Sequence, residues 1–214
     1  TLVSRILGMV RAVILVAALG SAFQADAFNL ANTLPNTFYN LLAGGVLNAI
    51  LVPQIVRAMR RPDGDAYTNK LLTISGTLLF GATVLLTACS AIIITIYASQ
   101  LPGPWFGLAV AFTLWCMPEV FFYGLYALFG NVLNARGSFG PYMWAPVVNN
   151  VVSIAGLVIY LVVFGGAATG SGTDPSHWTA GRTALVGGTA LAGVVCQALV
   201  LIIPLRRSGF RFRL

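Results

Sequence analysis

Charge is what this sequence has least of. Of its 214 residues 12 are basic and 5 acidic, 8% charged in all, against roughly a quarter in ordinary soluble domains. With 58% of the chain hydrophobic, a soluble globule is ruled out. Cysteine is sparse too. Cys89, Cys116 and Cys196 each fall inside an apolar stretch with no Cys-x-x-Cys or Cys/His spacing, which argues against a disulfide framework or a zinc site and leaves them as packing residues. The single histidine, His177, lies beside Trp178 and near Asp174 without a second ligand, so it reads as a solvated loop residue and no metal is expected. The chain lacks a glycine-rich phosphate loop ending in Lys-Ser/Thr, usefully spaced paired carboxylates and a nucleophile elbow. No enzyme and no cofactor are expected; the residues suit a passage or a binding chamber.

What the chain has is long apolar runs. Six of them, at about 3–19, 28–59, 71–98, 105–134, 142–164 and 183–205, approach or exceed the roughly 20 residues that cross a hydrocarbon core as helix. The expected fold class is therefore an all-α integral membrane protein with six transmembrane helices, and residues 1–214 form one transmembrane domain. The first run carries two arginines and is followed by no small-residue cleavage site, so it reads as a span rather than a leader. The chain starts at Thr1 rather than Met, beside a span, and is expected to be a piece of a longer protein.

The net charge of +7 does not point to nucleic acid, because the basic residues cluster beside apolar spans. Arg57, Arg60, Arg61 and Lys70 surround the second connection, Arg136 follows the fourth run, and Arg206, Arg207, Arg211 and Arg213 follow the sixth. The other connections hold one basic residue, Arg182. The positive-inside rule then puts both ends and the basic loops in the cytoplasm. At 206–214 the arginines interleave with Phe210 and Phe212, a pattern that fits either an interfacial segment on anionic lipid headgroups or a plain stop-transfer flank.

Against this background two charges stand out inside the first run, Arg5 and Arg11. A charge at the centre of a membrane helix costs at least about 2.5–3.5 kcal/mol and usually faces a watery cavity or a partner. Six residues apart, the two lie about 9 Å along a straight helix and about 120° around it, and Gly8 between them offers a bend or a close contact. Arginine suits phosphate because its planar fork binds oxygen pairs and it stays charged at any working pH. The plainer alternative is that they snorkel to the surface, which fits Arg5 better than the deeper Arg11. Asp26 lies at the outer start of the second run, where an acid favours a helix N-terminus; plain capping and a functional role both stay open. Glu119 follows Pro118 within the fourth run and needs a partner or a proton if it is buried; it either neutralises Arg11 or sits near the membrane edge. The second run is interrupted at Leu34-Pro35-Asn36 and at Ala43-Gly44-Gly45. Such breaks line a cavity or simply bend a membrane helix.

Taken in order, these motifs resemble the MurJ (MviN) family of lipid II flippases, in the MATE-like MOP exporter superfamily. The resemblance rests on Ser4-Arg5-Ile6-Leu7-Gly8-Met9-Val10-Arg11, Ala25-Asp26-Ala27-Phe28, Leu34-Pro35-Asn36, Val52-Pro53, 134–141 and Ala145-Pro146-Val147-Val148-Asn149. It implies a fold of fourteen helices in two lobes around a cavity that opens alternately to each side, with this chain as the N-terminal lobe and the second lobe absent from it. It also implies transport of lipid II, the undecaprenyl-pyrophosphate-linked peptidoglycan precursor, from the inner to the outer leaflet of the bacterial cytoplasmic membrane. In that reading Arg5 and Arg11 engage the diphosphate, Asp26 and Glu119 tune the gates, and Gly8, Pro35, Asn36, Gly44 and Gly45 break helices or line the cavity. The implied partners are lipid II, membrane lipids and cell-wall synthesis proteins. The sequence departs from the family where an arginine pair commonly follows Leu-Pro-Asn, reading Thr37-Phe38-Tyr39-Asn40, at Gly44-Gly45, where an acid commonly precedes the glycine, and at Ala12, where an acid often follows the second arginine. An exporter of another lipid-linked oligosaccharide, a MATE-type antiporter and a non-transporting scaffold for cell-wall enzymes remain the alternatives.

Overall fold

The computed structural model describes residues 1–20, 23–42, 53–54, 57, 64–166 and 177–209. Among these, nine helices follow one another: α1 (Leu2–Leu19), α2 (Phe23–Leu42), α3 (Gly64–Ala88), α4 (Ser90–Tyr97), α5 (Gly103–Cys116), α6 (Glu119–Ala135), α7 (Gly140–Phe164), α8 (Ala180–Leu199) and α9 (Ile202–Arg207). Five segments of the described chain are long and apolar enough to cross a membrane: Leu2–Leu19, Ala66–Ala88, Gly103–Ala135, Gly140–Phe164 and Ala180–Arg207. The protein is all-α and multi-pass. The run expected at 28–59 is not among the five. Its helix begins earlier, at Phe23, and carries a polar face; 43–52, with Gly44 and Gly45, lies outside the described residues.

Local chemistry explains where the long runs break. The third splits at Cys89, with no proline or glycine to mark it. There Thr83 and Thr87 donate hydroxyl hydrogens to the carbonyls of Leu79 and Thr83 at 2.8 and 2.7 Å, and Ser90 donates to Thr87 O at 2.7 Å. Side chains that bond back to the preceding turn weaken a helix and often bend it. The fourth splits at Pro118, which has no N–H to continue the ladder; tight turns from Val120 N to Met117 O (3.1 Å) and from Phe121 N to Pro118 O (3.2 Å) carry the chain across. Before α9 the chain turns at Val200 and Leu201, where Pro204 removes the donor that would bond Val200 O.

Helix α8 packs most extensively on α7, α2 lies on α5, and α1 runs along α7. In lipid no hydrophobic force drives helices together, so small residues and interhelical hydrogen bonds carry the packing. Both occur between α7 and α8. A Cβ at Gly193 would meet Asn149 Oδ1, with Ser153 Oγ at 2.7 Å and Asn149 O at 3.1 Å, so only glycine allows this approach. Above it Asn149 Nδ2 donates to Gln197 Oε1 at 2.8 Å, and Ser153 Oγ donates to Asn149 Oδ1 at 3.2 Å, all within the buried interior.

The two ends differ in chemistry. One gathers Leu72, Leu133, Ala145 and Leu205 in a small apolar cluster; around it Arg136 Nη1 donates to Ser208 O at 2.7 Å, and Arg206 and Arg207 are exposed in the last turn of α9. At the other end Trp178 packs edge-on against Phe112, with ring centroids 5.5 Å apart, and Arg182 lies over the Phe164 ring at 5.3 Å.

Candidate functional site

Helix α1 is about 27 Å long at 1.5 Å per residue, and Arg11 stands near its midpoint. Ser4, Arg11 and Ala18 follow at seven-residue spacing and so share one face. Asn150 of α7 holds that face by donating from Nδ2 to Ser4 O at 2.9 Å and to Ser4 Oγ at 3.3 Å, while Ala18 is buried. Arg11 is thus half-buried on the side of α1 that turns into the bundle. Arg5 is exposed on a different face. The helix is continuous through Gly8, and a Cβ there would meet nothing within 4 Å. Neither a bend nor a close contact at Gly8 draws the arginines together in this structure.

Glu119 opens α6, at the midpoint of the apolar segment Gly103–Ala135. Its depth follows from the break at Pro118, which turns the chain without ending the span. The residue is 0% exposed, and neither carboxylate oxygen accepts a hydrogen bond. The Cys116 thiol and the Tyr123 phenol lie beside it, and Arg11 is the cation whose field acts on all three. Sixteen residues separate it from either end of that apolar segment. A half-buried arginine and a buried carboxylate thus sit within reach of each other's field, without a hydrogen bond between them. Cys116, expected only to pack, is part of it.

Asp26 is exposed in the first turn of α2, where a negative charge is favoured by the helix dipole. The turn from α1 is closed by Gln24 Nε2, which donates to Leu19 O at 2.6 Å. Pro35 is buried, and α2 continues through it rather than breaking as expected. Asp26, Asn29, Thr33, Asn36 and Asn40 are all exposed, and their 3-4-3-4 spacing puts them on one face. Asn40 Nδ2 donates to Asn36 Oδ1 at 3.2 Å, and Thr33 Oγ1 to Asn29 O at 2.7 Å. This polar stripe went unnoticed in the sequence, where an asparagine count at helical spacing would have found it. The opposite face, with Ala27, Phe28, Ala31 and Leu34, is buried against the bundle. A separate cavity of about 300 Å³ between α5 and α8, lined by Pro104, Leu108, Trp115, Trp178 and Thr183, holds no arginine or carboxylate. No group of histidine, cysteine and carboxylate side chains among the described residues could hold a metal ion.

The sequence signature over residues 15–214 matches the model of the family described as lipid II flippase MurJ. The chain belongs to the MurJ family. A probable lipid II flippase MurJ of Rhizobium meliloti (strain 1021) is 31% identical over 99% of this chain and 38% of its own length. The lipid II flippase MurJ of Burkholderia cenocepacia is 33% identical over 74% of this chain and 32% of its own length. Among solved structures, a lipid II flippase MurJ in an inward closed conformation superposes with a TM-score of 0.70 at 18% identity, covering 98% of this chain and 41% of that one. That likeness establishes an all-helical MurJ-type membrane fold. The chain spans less than two fifths of the length of the two curated relatives, from Rhizobium meliloti and Burkholderia cenocepacia.

Proposed function

We propose that this chain is the N-terminal lobe of a flippase that moves lipid II from the inner to the outer leaflet of the bacterial cytoplasmic membrane by alternating access, with a second lobe completing the cavity. The observation that carries the reading is Arg11, a permanent cation at the middle of an apolar helix, half-buried and within the field of a buried carboxylate. A diphosphate needs cationic forks in a wet, membrane-deep site, and arginine supplies both the charge and paired donors. Arg5, exposed about two turns nearer the start of α1, gives the first contact on the cytoplasmic side, and Arg11 gives the deeper one. Asp26 and Glu119 tune opening through their charge. The stripe of α2 offers hydrogen bonds to the hydroxyls and amides of an uncharged headgroup. The end bearing Arg136, Arg206 and Arg207 faces the cytoplasm, as basic flanks are retained there. Cell-wall synthesis proteins are the partners this traffic requires.

One second reading has its own support. Thr37-Phe38-Tyr39-Asn40 and the asparagines of α2 replace charge by neutral hydrogen-bonding groups, which favours an exporter of a different lipid-linked oligosaccharide. The test is complementation of a flippase-depleted strain by the full-length protein, with membrane abundance checked and lipid II binding compared with that of other lipid-linked headgroups. Arg11→Lys should fold yet lose much of the function, and Arg11→Ala nearly all of it. Loss of one charge-assisted contact, worth about 1.5–3 kcal/mol, corresponds to roughly ten- to hundredfold in affinity. Normal growth and unchanged binding with Arg11→Ala would remove Arg11 from the site; tighter binding of another headgroup would select the second reading.

A further inference from the structure

Asp26 is exposed at a helix start, whereas Glu119 is 0% exposed in the middle of a span with both oxygens unbonded. An ionised carboxylate in that position carries a desolvation penalty of several kcal/mol that only a well-placed counter-charge, or a proton, offsets. The groups facing it can be named element by element. Helix α1 brings Arg11, the end of α5 brings Cys116, and α6 itself brings Tyr123 one turn on. Helix α2 brings Tyr39 to the Tyr123 ring, with centroids 6.0 Å apart. No other charged or titratable group among the described residues acts on Glu119. Neither Glu119 oxygen has a hydrogen-bond partner of ordinary geometry, while the Cys116 thiol and the Tyr123 phenol lie beside it as donors. The site thus holds one cation and one anion within each other's field, and a proton on Glu119 would leave the charge of Arg11 without a counter-ion.

We infer that Glu119 is a proton-binding site linked to the anion site at Arg11, so that the carboxylate and a phosphate-bearing ligand compete for one guanidinium. With Glu119 ionised, Arg11 serves as its counter-ion and a second anion meets repulsion. With Glu119 protonated, the carboxylic acid is neutral and Arg11 is free to engage the ligand. The balance is one proton taken from water onto Glu119 as the anion binds, and one returned to water as the anion leaves; no other bond changes. Linkage makes the effect reciprocal: the factor by which the proton tightens anion binding is the factor by which the anion tightens proton binding. This rests on the reading of Arg11 as a phosphate ligand and adds to it a dependence on pH.

The sign is fixed. The complex holds more protons than the free protein, so affinity rises as pH falls, by at most about tenfold per pH unit for one linked proton. The probe is undecaprenyl diphosphate presented to the purified full-length protein in nanodiscs, with its dissociation constant measured from pH 5.5 to 9 (a range wide enough to cover the phosphate's own titration near pH 6). Glu119→Gln, a permanent mimic of the neutral acid, should bind at every pH about as tightly as the parent does at low pH, keeping only the pH dependence that belongs to the phosphate. Proton uptake on binding, read with an indicator in weak buffer, should exceed that of Glu119→Gln by up to one proton. On the parent alone, binding measured above pH 8, where the diphosphate is already fully ionised, should still take up protons; this needs no folded variant, and its absence would overturn the linkage. Arg11→Ala should lose binding at all pH values. Binding that requires Arg11 but has the same pH slope and proton uptake in the parent and in Glu119→Gln would overturn the linkage and leave the proposed function standing. Binding that ignores Arg11, or is absent at every pH, would overturn both.

Discussion

Adding one methyl group at Gly193 should pry α7 from α8. A Cβ there meets Asn149 Oδ1, with Ser153 Oγ at 2.7 Å and the Asn149 carbonyl oxygen at 3.1 Å. A side chain can rotate away; a backbone carbonyl moves only if the helix does. Forcing extra volume into a packed interface costs about 1–3 kcal/mol. Separation also stretches the Asn149–Gln197 hydrogen bond of 2.8 Å, and such bonds inside membranes are worth about 0.6 kcal/mol on average and up to about 1.7. Together Gly193→Ala should destabilise the fold by about 2–4 kcal/mol. Gly81→Ala is the matching control, since a Cβ there meets nothing within 4 Å. Gln197→Leu should cost less, about 1–2 kcal/mol, because it leaves the backbone contact intact and strands only the Asn149 amide. The measurement is unfolding of the full-length protein in detergent, followed by fluorescence-detected size exclusion across temperature, with a double-mutant cycle over Asn149→Leu and Gln197→Leu. If Gly193→Ala melts with Gly81→Ala and the parent, the helices do not touch as described and the reasoning fails.

On a background freed of Cys89, Cys116 and Cys196, cysteines at His177 and Arg207, both exposed and at opposite ends of the bundle, should react from opposite sides with an impermeant thiol reagent in intact cells; labelling of both from one side would refute the orientation. Asn150→Leu removes the donor that ties Ser4 to α7, so it should cost about 1 kcal/mol of stability and weaken diphosphate binding severalfold with Arg11 intact; unchanged binding would show that the tether does not position α1. Asn36→Leu with Asn40→Leu makes the α2 face apolar and should impair transport of a glycan-bearing lipid more than binding of undecaprenyl diphosphate, compared by flipping and binding assays; equal effects on both would show that the stripe does not read the headgroup.

Rare charges in apolar runs were the legible part of this site. Arg11 and Glu119 are conspicuous because so little else in their segments is polar, and the depth of each follows from counting residues to the ends of its run. The kink beside Glu119 was visible in Pro118. Other features depend on pairs far apart in sequence. Asn149 and Gln197 are unremarkable alone, and only the approach allowed by Gly193 makes them partners. The break at Cys89 comes from hydroxyls bonding backward to carbonyls, which no helix-breaking residue announces. Helix α2 misled in a different way. A search for apolar period passes over a helix with a polar face, and reading 28–59 as one apolar run hid both the start at Phe23 and the exposed row from Asp26 to Asn40. Pro35 looked like a break, yet a single proline bends or loosens a helix that its neighbours still hold, and here its ring is buried in the packed face. Gly8 looked like a hinge but lies in an unbroken helix.

The central claim is that Arg11 makes this lobe part of a lipid II conduit. Its most direct test is the rate at which fluorescent lipid II crosses the bilayer of proteoliposomes containing the full-length protein, read by quenching from one side. The parent should accelerate crossing well above protein-free vesicles, and Arg11→Ala, incorporated at the same density, should fall back to the protein-free rate. Equal acceleration by both proteins would contradict the account.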